Sequence, residues 1–592
     1  MPNPAAGMAK SHADLPQILG GFPTLTAGLD YAARGVTGFN FYSPRGVLSD
    51  ALSYRGLRDT ALVAARKLAS LGLARESRVA IVAETGPDFV IQFFACQYAG
   101  LVPCPMPYSM YIGGKDAYVA RIASMLGSAR AAIAVTPADL QSHVGEAAAL
   151  TGTKTVLTFA DLDALPETAD PLQPFGPDDV AYIQYSSGST SSPKGILISQ
   201  RAIIANATAI MRHGLKITPD DRAFSWLPFY HDMGLVGFCL TPILAQMTTD
   251  YLATTAFARR PALWLRLMSD NGCTIAYSPS FGYDLAARRI NGEAKTLDLS
   301  AWRVAGIGGD MVRPDILSLF AERMQVAGFN ANAFVPSYGM AESTLAITFT
   351  EPGTPFRVDS VDRVQTKLSG HAVPADEKLL ARPDRVRQFV ACGKPMPDHE
   401  IVVRDDSGRT LGAREIGHIL FRGPSLMSGY FENEAATSAV FSADGFLDTG
   451  DMGYLLDGEI VITGRAKDLI LHNGRNIWPQ DIEWAAERIE PLKAGDAAAF
   501  AVEGADDADE VVVLIQCRLP GSAEMEELRH KVAAAVHQGS GVECSVVLVP
   551  PKSLPFTSSG KLSRAAARAG YLAGVIAEIA RPAANRALEA AE

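Results

Sequence analysis

The sequence predicts an α/β protein: a large N-terminal α/β domain with mainly parallel sheets, followed by a small C-terminal α+β domain. Three observations carry this. Short, almost wholly apolar runs alternate with longer helical stretches from about Leu52 onward, the signature of a mainly parallel sheet. That alternation gives way near Gly464–Lys467 to a few short strand candidates around one clear helix. At 592 residues the chain also exceeds what one hydrophobic core ordinarily serves. The division expected is residues 1–466 and residues 467–592.

In order along the chain, residues 51–73 are rich in alanine and leucine at helical spacing. Residues 78–83, Arg-Val-Ala-Ile-Val-Ala, read as a strand buried on both faces. In Thr85-Gly-Pro-Asp, Thr85 is a candidate cap and Pro87 suits a first helical turn; the apolar stretch behind them stops at Gly100. Similar apolar runs recur at residues 131–135, 155–158 and 181–185. The longest uncharged run, residues 233–249, contains Gln246 and several threonines and falls short of a membrane span, so a buried core helix is expected there. Beyond Lys467, strands are expected at 498–502, 511–517 and 546–549, with a helix over about 523–538 between the last two. The alanine-rich tail after Leu572 reads as a terminal helix. No fixed-period repeat is present.

Composition narrows the function classes. Apolar residues make up 48% and charged residues 20%, an ordinary globular balance. A net charge of -11 with interspersed signs argues against a nucleic-acid binder. Seven cysteines, odd in number and never spaced C-x-x-C, fit a reducing compartment with neither a disulfide framework nor a zinc site. The N-terminus lacks the apolar stretch of a secretory signal. The expectation is a cytoplasmic protein with no integral-membrane segment.

The segment Tyr185-Ser-Ser-Gly-Ser-Thr-Ser-Ser-Pro-Lys-Gly195 follows a strand candidate and precedes a helical pattern starting near Ser199. Small residues let backbone amides approach a phosphate, hydroxyls add donors and Lys194 adds positive charge. A Ser/Gly stretch alone is ordinarily a surface turn. It is not the G-x-x-x-x-G-K-[ST] loop, because the lysine follows a proline and no Ser or Thr comes after it. The segment resembles the signature loop of the adenylate-forming superfamily, which includes acyl-CoA synthetases, luciferases and peptide-synthetase adenylation domains. It departs from the usual pattern in carrying Ser191 where glycine is common. Four further motifs follow in the family's order. Ser337-Tyr-Gly-Met-Ala-Glu342 is similar to Tyr-Gly-x-Thr-Glu, and Gly445-Phe-Leu-Asp-Thr-Gly-Asp451 to the ribose-binding aspartate motif. Gly464-Arg-Ala-Lys-Asp468 resembles the hinge, and Pro555-Phe-Thr-Ser-Ser-Gly-Lys561 the catalytic-lysine loop.

The resemblance implies ATP and Mg2+ as cofactors and assigns roles residue by residue. Ser187, Gly188, Ser189 and Thr190 would cradle phosphate, with Lys194 against the departing pyrophosphate. Glu342 would hold Mg2+, with Thr190 or a water completing the shell. Lys561 would stabilise charge between the carboxylate and the α-phosphate. Ser337, Tyr338, Gly339, Met340 and the Gly308-Gly309-Asp310 turn would border adenine, with Tyr338 stacked on it. Asp451 and Arg465 would hold the ribose. His231 would lie near the substrate carboxylate, without an assigned proton transfer, beside Asp232. Lys467 would be the hinge about which a mobile C-terminal domain swings between two half-reactions.

Several details resemble fatty acyl-AMP ligases in particular. Trp226-Leu-Pro-Phe-Tyr-His-Asp-Met-Gly234 carries that branch's His-Asp-Met-Gly form. Ser278-Pro-Ser-Phe-Gly-Tyr-Asp-Leu285, with Ser280 and Phe281, is similar to its acyl-pocket segment. Asn473-Gly-Arg-Asn-Ile-Trp-Pro-Gln-Asp-Ile-Glu483 is similar to its post-hinge motif. The stretch between Glu342 and Cys392 is long for an acyl-CoA synthetase, and residues at about 350–390 resemble the insertion that disfavours CoA in that branch. The implied reaction is ATP-dependent activation of a fatty acid to an acyl-adenylate. The acyl group then passes to the phosphopantetheine thiol of an acyl carrier protein, or of a synthase carrier domain, in trans. No Gly-x-Asp-Ser-Leu carrier signature occurs in this chain. The alternatives are an acyl-CoA synthetase using CoA and a degenerate protein that binds adenylate without turnover.

Overall fold

The structure, a computed structural model, describes residues 7–8, 15–108, 114–185, 193–290, 292–382, 385–472, 475–503, 509–556 and 561–579. It is mixed α/β with a large parallel core, as expected. A nine-stranded sheet dominates. Its centre runs Phe334–Gly339, Val304–Ile307, Ile275–Ser278, Arg222–Ser225, Thr248–Leu252 and Gly38–Tyr42, each parallel to the next. Antiparallel strands close both edges. A second sheet, Val102–Met106, Arg78–Val82, Ile133–Thr136 and Thr155–Thr158, is wholly parallel. These strands are the nearly uninterrupted apolar runs of the sequence, which only a sheet covered on both faces accommodates.

Some local expectations are corrected. The helix after the first parallel strand is Pro87–Ala99, but its cap is Gly86, not Thr85. Residues 51–53 belong to the edge strand Leu48–Ser53, so the helix behind it spans Tyr54–Ala69. Val180–Tyr185 is a strand, yet it pairs antiparallel with Gly195–Ser199. The Ser/Gly segment therefore lies in the chain between two strands, and helix Gln200–Ala209 starts behind the second, capped by Ser199, where a helix was expected. The uncharged run begins as a π-helix, Met233–Leu240, and continues through Thr241–Leu244. Gln246 then takes a positive φ of 53°, which ends the helix, and the remainder enters strand Thr248–Leu252.

In the C-terminal part, Ala497–Glu503, Asp509–Gln516 and Ser545–Val549 form a three-stranded sheet, and Ser522–Ser540 is the expected helix. Its central strand divides by a period of two. Val511, Val513 and Ile515 face a core with Ile482 and Val532, whereas Val512 and Leu514 face another with Ala498 and Ala567. Helix Pro479–Glu487 was not expected. Helix Arg564–Leu572 precedes the alanine-rich tail; residues 573–579 are not helical, and residues 580–592 lie outside the described residues.

The segment expected as an insertion folds as a hairpin-like pair, Val358–Asp362 with Val386–Val390, carrying helix Arg363–Ser369. It touches the C-terminal part directly. Arg363 donates to the Gly539 carbonyl at 2.5 Å, and Arg387, buried beside the Phe389 ring, donates to Asp481 at 3.2 Å. Arg313 adds an ion pair to Glu487 at 2.8 Å and lies over the Trp484 ring.

Candidate active site

Four parallel strands of the large sheet end at one place, and their carboxyl ends supply the site. Arg222–Ser225 leads into Trp226 and on to His231-Asp232, and Ile275–Ser278 into Pro279-Ser280. Val304–Ile307 runs into Gly308-Gly309-Asp310, and Phe334–Gly339 into Met340 and Glu342. Ligands of open α/β sheets bind outside such carboxyl ends. Here the strand ends crowd closely: a side chain at Gly308 would come within 2.9 Å of the Ser337 carbonyl, and Gly309 adopts φ +84°. Glycine is needed at both positions.

Two chambers meet there. The first, about 790 Å3, has Lys194, His231, Asp232, Glu342 and Tyr430 among its polar lining, with Met340 close to Glu342 in sequence. Ile210, Leu215, Phe238, Tyr277, Leu345 and Phe349 line its apolar part. The second, about 480 Å3, lies against the C-terminal part and includes Ser280, Asp310, Arg313, Asp451 and Glu483. Phe281, Gly309, Ser337, Tyr338, Gly339, Arg465, Lys467 and Lys561 line both. Thus Lys561, from a loop next to the C-terminal sheet, stands at the junction with Lys194 and Glu342 in the same chamber.

The electrostatics follow from this crowding. Burial depresses the Lys561 ammonium below its ordinary value, opposed by Asp232, Asp310 and Asp451. Burial would raise Asp232, but His231, whose Nδ1 lies 3.8 Å away, and Lys561 hold its carboxyl below the usual range. Burial pushes Asp310 up to about 6, although Ser280 donates to it through both backbone N–H and hydroxyl at 3.1 Å. Burial likewise raises Glu342, which accepts from the Tyr430 hydroxyl at 2.9 Å. Tyr338 donates to Asp451 at 2.7 Å, and Arg465 pairs with Asp451 at 3.1 Å. Lys467, in the short turn Ala466–Asp468, is lowered by burial and then by Arg465.

The structure therefore brings together most residues singled out from sequence. Ser187, Gly188, Ser189 and Thr190 lie outside the described residues. Ser280 differs from its expected place: it lines the second chamber, held by Asp310, whereas Phe281 reaches both. Tyr338 has its hydroxyl committed to Asp451, with its ring in the wall between chambers. Sequence reasoning missed Tyr430 and the apolar wall. Phe238 had one readable signal, an uncharged helical run with no polar stripe, as expected when both flanks are covered. Tyr430 had none, because Ser428-Gly-Tyr430 reads from composition as an ordinary turn, whereas Gly429–Tyr430 is a short strand.

Comparison with known proteins agrees with this geometry. The family model for AMP-binding enzymes matches residues 44–431. A putative acyl-CoA synthetase of Caulobacter vibrioides is 50% identical over 557 residues, covering 93% of this chain and 96% of its own. A medium-chain-fatty-acid–[acyl-carrier-protein] ligase, JamA of Moorena producens, is 31% identical, covering 89% of this chain and 91% of its own. A solved structure from work on fatty acyl-adenylate ligases of E. coli and L. pneumophila superposes with a TM-score of 0.90 at 44% identity, covering 95% of this chain and 100% of that one. The chain belongs to the AMP-binding enzyme family and is a ligase with the fold of adenylate-forming enzymes.

Proposed function

We propose that the protein activates a fatty acid with ATP to an acyl-adenylate and then passes the acyl group to a carrier protein's phosphopantetheine thiol, supplied by another chain. One observation carries the first half: a polar cluster of Lys194, Glu342 and Lys561 opens directly into an apolar chamber of about 790 Å3. A carboxylate at the junction, its chain in the apolar part, faces the phosphate-binding groups.

The carboxylate oxygen attacks the α-phosphorus, forming the new O–P bond as the bond to the β-phosphate oxygen breaks and pyrophosphate leaves. Two anions approach each other, so fixed positive charge is what the site must supply. Lys561 neutralises the junction of carboxylate and α-phosphate, and Lys194 the leaving pyrophosphate. Asp451 and Arg465, already paired, present acceptor and donor to the ribose. His231, beside Asp232, orients the carboxylate end. Glu342 is the group that fits Mg2+: burial and the nearby Asp232 both disfavour its free charge, which a cation relieves. One carboxylate together with phosphate oxygens and waters suits that ion. Bound there, Mg2+ would neutralise phosphate charge. Among the described residues no larger cluster of metal-ligating side chains occurs.

Residues 467–592 are proposed to move as one body about Lys467, withdrawing Lys561 after adenylation. Preference for a carrier over CoA rests on the contacts between the 350–390 segment and the C-terminal part. Among the described residues no helix is long and apolar enough to cross a membrane. Fatty-acid-dependent exchange of labelled pyrophosphate into ATP tests adenylation; no exchange with any acid across a chain-length series would contradict it.

A further expectation concerns the acyl chamber. A Cβ at Gly237 would point at Leu345, 3.3 Å away, so Gly237→Phe fills the apolar part. Long acids should lose kcat/KM by about tenfold or more through overpacking while ATP binding stays unchanged. Equal losses for acetate and long acids would place the chain elsewhere.

A further inference from the structure

Tyr430 lies between two oppositely charged groups that the proposed reaction uses. Lys194 Nζ stands 4.6 Å from the centroid of its ring, and its hydroxyl donates to Glu342 Oε1 at 2.9 Å. The backbone around it is tied to both sides. Tyr430 pairs with Ile196, two residues after Lys194, and the Ser428 and Phe431 N–H groups donate to the Leu197 and Gly195 carbonyls at 2.9 and 2.7 Å. On the other side the Met427 N–H donates to the Glu342 carbonyl at 2.9 Å, and Thr344 donates to the Ser425 carbonyl at 2.7 Å. Tyr430 itself is buried, and its N–H donates to Thr437.

We propose that Tyr430 is the positioning residue of the phosphate site: its ring face seats Lys194, its hydroxyl seats Glu342, and together they fix the spacing between the ammonium that meets pyrophosphate and the metal-binding carboxylate. A lysine on a flexible four-carbon stem and a glutamate on a short turn each have freedom to lose on binding ATP. An aromatic ring held by backbone on both sides removes part of that freedom in advance. The two contacts are chemically separable. Phenylalanine keeps the ring face and loses only the hydroxyl, whereas leucine loses both.

The inference rests on the adenylation reading, and its test is read by binding, without turnover. ATP affinity of the full-length parent, Tyr430→Phe and Tyr430→Leu is measured by calorimetry with no acid present, first in EDTA and then across a Mg2+ titration. For Tyr430→Phe, affinity in EDTA should stay within about twofold of the parent, because the seat of Lys194 persists. The Mg2+ concentration that gives half the metal-dependent gain should rise about tenfold, because Glu342 has lost its donor. For Tyr430→Leu, affinity in EDTA should also fall about threefold or more. Loss of EDTA affinity by Tyr430→Phe equal to that of Tyr430→Leu overturns the division of roles. An unmoved Mg2+ midpoint in Tyr430→Phe overturns the seat for Glu342. Should the leucine variant fail to fold, as thermal unfolding would show, the phenylalanine variant alone still decides the second point. Failure of the adenylation reading appears separately, as absence of acid-dependent pyrophosphate exchange in the parent.

Discussion

Lys561→Ala will cut acyl-adenylate formation by about 10²–10³-fold, the loss typical of removing a charge-stabilising group from a transition state. ATP binding will stay measurable, because Lys194, Arg465 and Asp451 are untouched. The residue comes from outside the two large parallel sheets, yet it lines both chambers, so its effect should fall on kcat more than on KM for ATP. A pH signature accompanies it. Burial lowers the Lys561 ammonium from 10.5, so the charged form is lost at a lower pH than for an ordinary lysine. The alkaline limb of kcat/KM, which reports the free enzyme, should therefore lie below pH 10.5, and Lys561→Arg should move what activity it retains to a higher limb. The sign for stability runs with it: the native state releases this proton more readily than the unfolded chain, so stability falls as pH drops from 10.5 through the lowered value. Removing Lys561 relieves that cost, and Lys561→Ala should unfold no lower than the parent at neutral pH. Near-normal adenylation by Lys561→Ala would contradict the assigned role.

Shortening the 350–390 segment should give the second large effect, a gain of thioester formation with CoA. The structure says where to cut. Val361, Phe389 and Ala391 share a buried cluster with Tyr454 and Val461, so removing both strands would tear out a core. Asp362 pairs with Val386, so residues 363–385 can be replaced by a short turn that keeps the strand pair and costs the cluster only the small side chain of Ala372. The cut removes the Arg363 donor to Gly539 and leaves the Arg387 contact to Asp481. A hydrogen bond from a charged donor is worth about tenfold in an equilibrium, so acyl-CoA output should rise about that much if the segment restrains the C-terminal part. An unchanged CoA rate in a variant that still adenylates would make the segment a spacer.

The legible parts of the molecule were those in which one physical constraint dominates. Residues 78–83 and 131–135 could be read as buried strands, observed as Arg78–Val82 and Ile133–Thr136, because a sheet covered on both faces tolerates little besides apolar side chains. Pro87 and Gly100 marked their helix because one fixes φ and the other permits the left-handed stop. The antiparallel pairing of Val180–Tyr185 was not legible: an apolar strand looks alike whichever neighbour it takes, and partner direction lies in a connection of ambiguous composition. Site residues on strand ends, Gly308, Tyr338 and Glu342, could be ordered from motifs. That Tyr338 bonds Asp451, that Ser280 turns to Asp310 and that Tyr430 joins Lys194 to Glu342 are contacts between distant segments, which local sequence does not encode.

What becomes of an activated acid is read directly by one experiment. The full-length protein is incubated with ATP, Mg2+ and a ladder of fatty acids, with CoA and a phosphopantetheinylated carrier protein both present. Acyl-AMP, acyl-CoA and acyl-carrier protein are then separated by mass. Acyl-AMP and loaded carrier with little acyl-CoA are the expected products. Rapid acyl-CoA formation would contradict the choice of acceptor, and no acyl-AMP from any acid would contradict adenylation itself.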